Sequence, residues 1–264
     1  GRGGPPVVEA GDREPMLPSS LVGLLVVADA AALNVVPFTS HRISALTMTD
    51  TAVPTAPTTV ESNPIFVDEA AMLATAGFPI PPEDLIRLAK GFLVSRGGFG
   101  GDPDLMADTF EFAGPVVGPL SKDAFVAAIS SVDIGTGFPD FNPEFYGFRV
   151  DPFEGNRVWY VARGRGTNTG PLPPFANEPT GKKLVNPPQA CSLTFDEGGL
   201  VTKYTIGYVT DRAVGNTGGL GGLYGIMYAI GKPLPFPEAN PWKMSKRYRA
   251  FQTLGNLMSR LASK

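Results

Sequence analysis

Residues 189–212, QACSLTFDEGGLVTKYTIGYVTDR, constrain the fold more than any other stretch. They read as a β-hairpin. One arm, 192–195, runs into the turn Asp196-Glu197-Gly198-Gly199, and a second arm, 200–209, leaves it. Gly198 and Gly199 supply the positive φ that a short hairpin loop demands. Strict alternation puts Thr202, Tyr204, Ile206 and Tyr208 on one face of the second arm, and Val201, Lys203, Thr205 and Val209 on the other. Two tyrosines and an isoleucine on one face require a core or a cavity to line.

The surrounding composition limits what this hairpin can belong to. A hydrophobic content of 43% is enough for a globular core. With 32 glycines and 27 prolines in 264 residues, long irregular segments are expected as well. The net charge of −3 gives no case for nucleic acid as a partner. That charge is unevenly placed. From Asn240 onward stand Lys243, Lys246, Arg247, Arg249, Arg260 and Lys264 with no acid, so a tail of +6 leaves −9 on the preceding chain. An acidic body with a basic tail points to a docking surface. The single cysteine, Cys191, excludes an intrachain disulfide and a cysteine-based zinc site, and the single histidine, His41, excludes a multi-histidine metal centre within one chain.

Three parts are expected along the chain: an extended arm over 1–78, a compact domain over 79–235 and a basic helix over 236–264. The first twenty residues are rich in Gly, Pro and charge and cannot order themselves. The sequence begins at Gly1 rather than Met, as it would after removal of a targeting peptide and equally as a trimmed piece of a longer chain would. Residues 21–38, LVGLLVVADAAALNVVPF, form the most apolar run. Asp29 within it would cost roughly 2.5–3.5 kcal/mol at the centre of a membrane span. A segment buried on a partner or at a membrane surface fits better, with Leu21, Leu24, Leu25, Val35 and Phe38 as docking candidates. Residues 39–64 are a Thr/Ala/Pro linker without helical or strand period, and 65–77 carry a short helix stopped by Gly77. So poor a flank is expected to become ordered on something outside its own domain.

From Pro79 the pattern becomes that of a folded domain. Pro81-Pro82-Glu83-Asp84 opens a helix, with Leu85, Leu88, Ala89, Phe92 and Leu93 on one face. A short second helix is expected over 102–110, running into a strand at 110–112. Ser121 caps a third helix with Phe125, Ile129 and Val132 inward. Strands follow at 144–151 and 157–165, then a long loop over 166–188 and the hairpin. Helices followed by long antiparallel strands imply an α+β fold: a strongly curved antiparallel sheet with helices on its concave side.

The glycine cluster at 218–222 opens the apolar segment 223–230, which docks on the domain or on a neighbour. A dinucleotide fingerprint from Gly219 would need glycine where Tyr224 stands. The spacing from Gly225 to Gly231-Lys232 is one residue too long for a phosphate loop, and Pro233 replaces its hydroxyl residue. The tail over 241–264 is amphipathic, with Met244, Tyr248, Phe251, Leu254, Met258 and Leu261 three and four residues apart. It can pack on its own domain, or dock on an anionic membrane or an acidic partner through Trp242, Lys243, Lys246, Arg247, Arg249 and Phe251.

The stretches GDPDLMADTFEFAGPVVGPLSKDAFVAAI, FPDFNPEFYGFRVDPFEGNRVWYVARGRGTNTGP and PPQACSLTFDEGGLVTKYTIGYVTDRAVGNTGGLGGLYGIMYAIGKPLP resemble the nuclear transport factor 2-like superfamily in its SnoaL-like branch. They look particularly like plastid-associated members from eukaryotic algae. The resemblance covers about 79–235 and implies a cone with a pocket at its wide end. The superfamily holds isomerases, dehydratases, cyclases, transport factors and carotenoid-binding domains, so the fold says little about activity. Its enzymes generally place an aspartate, often with a histidine, in the cone. Here His41 lies in the linker, which leaves Asp108, Asp133, Asp140 and Asp151 as candidates for a lone base. Asp108 precedes the strand at 110–112, where it can cap or turn, and Asp140 and Asp151 sit in turn-like settings. Alternation makes Phe112, Phe148, Trp159, Thr194, Tyr204 and Tyr208 the candidate pocket lining, and Cys191 a small buried hydrophobe.

The expected function is that of a non-catalytic accessory or linker subunit of a plastid thylakoid complex. The resemblance points to a photosystem with its light-harvesting antenna, with the chain on the stromal side. Membrane protein subunits and the thylakoid lipid surface are the expected partners, and no cofactor is required, though carotenoid, chlorophyll or lipid can contact such a domain. The alternatives are a SnoaL-like isomerase, cyclase or dehydratase acting on a hydrophobic carbonyl compound, and a carrier of a carotenoid or lipid.

Overall fold

The computed structural model describes residues 63–95, 98 and 100–262. By its contacts the chain divides into residues 1–58 and 59–264, and the fold described is that of the second unit. The apolar run with Leu21, Leu24, Leu25, Val35 and Phe38, and the linker with His41, lie outside the described residues.

Local signals set the first helices. Helix α1, Glu69–Thr75, starts where the Asp68 carboxylate accepts from the Ala71 N–H at 3.0 Å. Leu73 and Phe78 pack against the main core, so this end of the expected arm belongs to the domain. Helix α2, Pro82–Val94, has proline in its first turn with Glu83 and Asp84 near the positive helix end. It buries Leu85, Ala89, Phe92 and Leu93, the one-face spacing of an amphipathic helix. Full burial of each leucine or phenylalanine contributes about 1.5–3 kcal/mol.

The helix expected over 102–110 is a single 3-10 turn, Pro103–Leu105, capped by Asp102. Strand β1, Met106–Ala113, begins at once. Pairing decides this: β1 lies parallel to the second hairpin arm, with Met106 opposite Val201 and Phe112 opposite Tyr204. Strand β2, Leu120–Ser121, then pairs antiparallel with β1. Ser121 caps α3, Lys122–Ser130, and Phe125 on that helix is buried. A short helix α4, Ile134–Gly137, leads to β3, Tyr146–Val150, and β4, Arg157–Ala162.

The hairpin is the centre of the sheet. Strands β7, Gln189–Phe195, and β8, Val201–Val209, flank the turn, where Gly199 takes φ +83° and the Asp196 N–H donates to the Leu200 carbonyl at 3.0 Å. With β5 and β6 described below, the strand order is β2-β1-β8-β7-β4-β3, antiparallel except at β1–β8. The expected antiparallel sheet thus carries one parallel pair, because β1 arrives through helices rather than from a hairpin partner.

Two register shifts interrupt the hairpin. Thr194 faces Lys203 while Phe195 faces Val201, so Thr202 is extra; Ser192 faces Thr205 while Ala190 faces Tyr208, so the stretch at Ile206-Gly207 also holds one extra residue. Gly207 takes φ +90° there. Each bulge reverses the alternation beyond it. Val201 and Tyr204 therefore both point into the core, and Tyr208 does not follow Tyr204.

The long segment after β4 is ordered by polar contacts. Strands β5, Arg165–Thr167, and β6, Lys183–Val185, pair across it. Fully buried Asn168 donates to the carbonyls of Gly137 and Gly170 at 3.0 Å, and accepts from the N–H and hydroxyl of Thr180 at 2.8 and 2.9 Å. Helix α5, Gly222–Ala229, lays Ile226 and Met227 into a second core with Phe138, Leu172 and Leu184.

The chain then reaches its tail over a fixed root. Phe236 packs edge-on against Tyr224 with centroids 5.4 Å apart, and Ala239 is fully buried. A side chain at Gly218 would meet the Pro241 ring at 2.4 Å, so glycine permits this close approach. Helix α6, Lys246–Ala262, follows. Among the described residues, no helix is long and apolar enough to cross a membrane.

Candidate functional site

The concave side of the sheet is lined by aromatic rings. Tyr160 on β4 lies opposite Cys191 on β7, and Tyr204 on β8 lies opposite Leu193. The two phenol hydroxyls are 3.4 Å apart and both side chains are buried. Phe148 stacks on Tyr160 at 5.3 Å, and Phe145 meets it edge-on at 5.4 Å. Phe92, Phe112 and Phe125 surround Tyr204 edge-on with centroids 5.5–5.9 Å away. Such pairs contribute about 0.5–1.5 kcal/mol each beyond their burial.

Burial sets the ionisation of this cluster. Removal from water pushes the Tyr160 and Tyr204 phenols well above their usual range, and pushes the Cys191 thiol up to about 12. At neutral pH all three are uncharged. The phenols can donate a hydrogen bond to a carbonyl oxygen, but neither they nor the thiol can act as a base or a thiolate nucleophile.

The four candidate acids lie elsewhere, Asp108 on β1 and the other three at helix caps or turns. Asp108 has a fully exposed side chain 3.9 Å from the Lys122 ammonium. Asp133 caps α4, accepting from the N–H and hydroxyl of Thr136 at 3.0 and 2.6 Å, which hold its carboxyl below the usual value. Asp140 accepts from the Thr167 N–H at 2.6 Å, with the same effect. Burial pushes Asp151 up, but hydrogen bonds from Trp159, Phe153 and Glu154 together with the charge of Arg157 outweigh it and leave the carboxyl low. Hydrogen bonds that favour the charged form suit a structural role better than proton transfer.

Of the six expected lining residues, the structure brings Phe112, Phe148 and Tyr204 together at the core. Trp159 and Thr194 are on the opposite face. The Trp159 ring carries the Arg157 guanidinium 4.1 Å from its centroid and donates from Nε1 to Asp151 at 2.6 Å. Thr194 shares its face with Ser192, whose hydroxyl lies 2.6 Å from that of Thr205. Tyr208 is 41% exposed and reaches the Gly114 carbonyl, because the bulge at Gly207 turns it over. Tyr160 is the residue that sequence reasoning passed over. The signal was present: Arg157 alternates with Trp159, which marks that side of β4 as the solvent side.

A second surface lies at the tail. All described side chains of α6 are exposed. Tyr248, Phe251, Leu254, Leu257, Met258 and Leu261 are 47–63% accessible. Packing of this helix on its own domain, one of the two expectations, is therefore not what the chain adopts. Trp242, at its root, is 61% exposed, with the Arg212 guanidinium 4.7 Å from its ring. These two residues line an open surface cavity of about 580 Å³ together with Gly218, Gly219 and Glu238. Lys243, Lys246, Arg247 and Arg249, just before the helix and in its first turn, are exposed. No cluster of three or more metal-ligating side chains exists among the described residues.

A sheet in the order β2-β1-β8-β7-β4-β3, curled around Tyr160 and Tyr204 with α2 and α3 packed on it, is an α+β arrangement consistent with the cone that the sequence resemblance implies. Several solved structures similar to the chain are described as SnoaL-like or nuclear transport factor 2-like proteins. They include a protein described as a SnoaL-like polyketide cyclase from a Jannaschia species, 17% identical with a TM-score of 0.41, covering 58% of this chain and 95% of that one. A phenazine biosynthesis-related protein from Pseudomonas aeruginosa is 13% identical with a TM-score of 0.39, covering 69% and 91%. A nuclear transport factor 2-like protein from Anabaena variabilis is 14% identical with a TM-score of 0.31, covering 55% and 93%. No family model matches the chain, and no curated protein matches it. Nothing about substrate or chemistry passes from these neighbours to this chain.

Proposed function

We propose that this chain is a non-catalytic accessory subunit of a membrane-associated protein assembly. The observation that carries this reading is the chemistry of the cone. Its described interior holds neutral phenols, a neutral thiol and hydrocarbon, while all four candidate acids are engaged at outer turns or exposed. A domain without a base at its centre is suited to serve as a rigid body that carries docking segments. The part of the expected arm over 1–62 is the proposed protein-docking segment, on the sequence argument that it cannot order itself; the part that carries α1 packs on the domain. The thylakoid setting, and a photosystem with its antenna as the assembly, rest on the resemblance of the sequence to algal plastid proteins.

The test is extraction of the native chain in mild detergent, followed by sizing. Comigration with pigment-bearing membrane proteins, lost on deletion of residues 1–62, is the expected result. A lone monomer would overturn the reading.

One observation favours a second reading. Paired phenol hydroxyls 3.4 Å apart can polarise a carbonyl, as an isomerase or cyclase acting on a hydrophobic ketone would require. That reading predicts turnover of such a ketone that disappears in Tyr204→Phe. A carotenoid carrier, the remaining alternative, would show visible absorbance in the purified protein.

A further inference from the structure

We propose that α6 is an in-plane anchor for an anionic lipid surface. The proposal deepens the reading of the chain as a membrane-associated subunit and rests on it: it names what the tail binds, as distinct from what the arm binds.

Four observations lead to it. First, α6 is folded but uncovered. Its 17 residues span about 26 Å at 1.5 Å per residue, and every described side chain on it is exposed. Second, it has two chemically different sides. Phe251, Leu254, Leu257, Met258 and Leu261 recur at three- and four-residue steps on one side, with Gln252, Thr253, Asn256 and Arg249 on the other. Arg247 falls on the apolar side, but in the first turn, where its long stem can carry the guanidinium out to headgroups. Third, the charge is of one sign. No acid occurs from Asn240 to the C-terminal residue, against six Lys and Arg. Fourth, the root is rigid and presents an aromatic ring: Pro241 sits against Gly218, and Trp242 is held by Arg212 yet is 61% exposed.

These features separate the occupants. A span is excluded by length and by Lys246, Arg247, Arg249 and Arg260, since about 20 apolar residues are needed to cross a bilayer. A protein groove would recognise an apolar stripe with or without a one-sign rim. A surface of anionic lipid matches all parts at once: hydrocarbon for the apolar side, headgroup charge for the cations, and the interfacial layer for Trp242. A helix with a wide apolar side and low overall hydrophobicity lies in such an interface rather than through it.

The experiment uses the full chain with sedimented vesicles of phosphatidylglycerol and phosphatidylcholine in equimolar mixture, and of phosphatidylcholine alone. The expected result is binding to the anionic vesicles, a blue shift of tryptophan emission that Trp242→Phe removes, and weakening by added salt. Lys246→Gln with Arg249→Gln should weaken binding roughly tenfold or more, given the contribution of each cation near an anionic surface. Leu254→Glu with Leu257→Glu should abolish it. Unchanged circular dichroism in all variants would show that the cone is intact. Equal binding to both kinds of vesicle, or binding unaffected by these pairs of substitutions, would overturn the proposal. So would no vesicle binding with a dimer dispersed by Leu254→Glu and Leu257→Glu, which would make a second copy the occupant. Comigration with membrane proteins without vesicle binding would remove the lipid anchor and leave the accessory-subunit reading standing. Vesicle binding without comigration would do the reverse.

Discussion

The hydroxyls of Tyr160 and Tyr204 face each other at 3.4 Å across the concave side of the sheet, one strand to either side of Cys191 on β7. Their burial has a pH consequence. A group whose pKa is raised on folding holds its proton more tightly in the folded state. Its contribution is therefore complete below the unfolded pKa and is lost as pH climbs toward the folded one. For Cys191 that window runs from the ordinary 9.0 to about 12, and for the two tyrosines it opens at 10.0. Urea unfolding should show stability constant up to pH 9 and falling steadily above it. Cys191→Ala should delay the onset of that fall.

The tyrosines differ in what their parts contribute. Tyr204→Phe keeps the ring among Phe92, Phe112 and Phe125 and should cost less than about 1.5 kcal/mol. Tyr204→Ala empties that space and should cost about 3–5 kcal/mol. Urea midpoints of the two variants check the ordering.

Gly207 is required by the second bulge. At φ +90° an added Cβ is strained, and it would also stand 3.3 Å from the Pro115 ring. Gly207→Ala should destabilise by about 1–3 kcal/mol. Thermal melting measures this, and Ala190→Gly, on the facing strand without a positive φ, is the control.

On the outer face, Asp151 accepts from the Trp159 indole at 2.6 Å and from two backbone N–H groups. Its pKa is depressed, so its contribution is present above the ordinary 3.8 and is lost as pH falls through the lower folded value. Asp151→Asn should cost about 1–2 kcal/mol at neutral pH and leave less acid sensitivity below pH 4. The near-ultraviolet dichroism of Trp159 should change with it.

Truncation after Ser245 removes a helix that no other part of the domain covers. The urea midpoint should stay within about 0.5 kcal/mol of the intact chain. A larger loss would mean that α6 packs on the cone in solution.

Much of this fold was legible where local geometry decides it. The apolar spacing of α2, the Ser121 cap of α3, the turn at Asp196–Gly199 and the two-sided pattern of α6 each depend on residues within a few positions of one another. The sidedness of the sheet was legible only in part. Phe112, Phe148 and Tyr204 fall in one core cluster, while Trp159 and Thr194 lie on the other side of strands whose polar neighbours, Arg157 and Ser192, mark the outer face. Tyr208 is different, since the bulge that turns it depends on the register of β7 against β8.

By itself the amino-acid order determined helices α2 and α3 and the β7–β8 hairpin, the absence of histidine from residues 79–235, and the cationic, two-sided character of the tail, though not the strand that begins at Met106 or the β5–β6 pair. Only the tertiary structure decided that β1 runs parallel to β8, that Asn168 ties residues 137 and 180 together, and that Tyr160 rather than Trp159 meets Tyr204. The physical reason is reach. Periodicity is set by bonds a few residues apart, whereas a single extra residue in a strand is felt only through its partner, and it exchanges inside for outside along everything that follows.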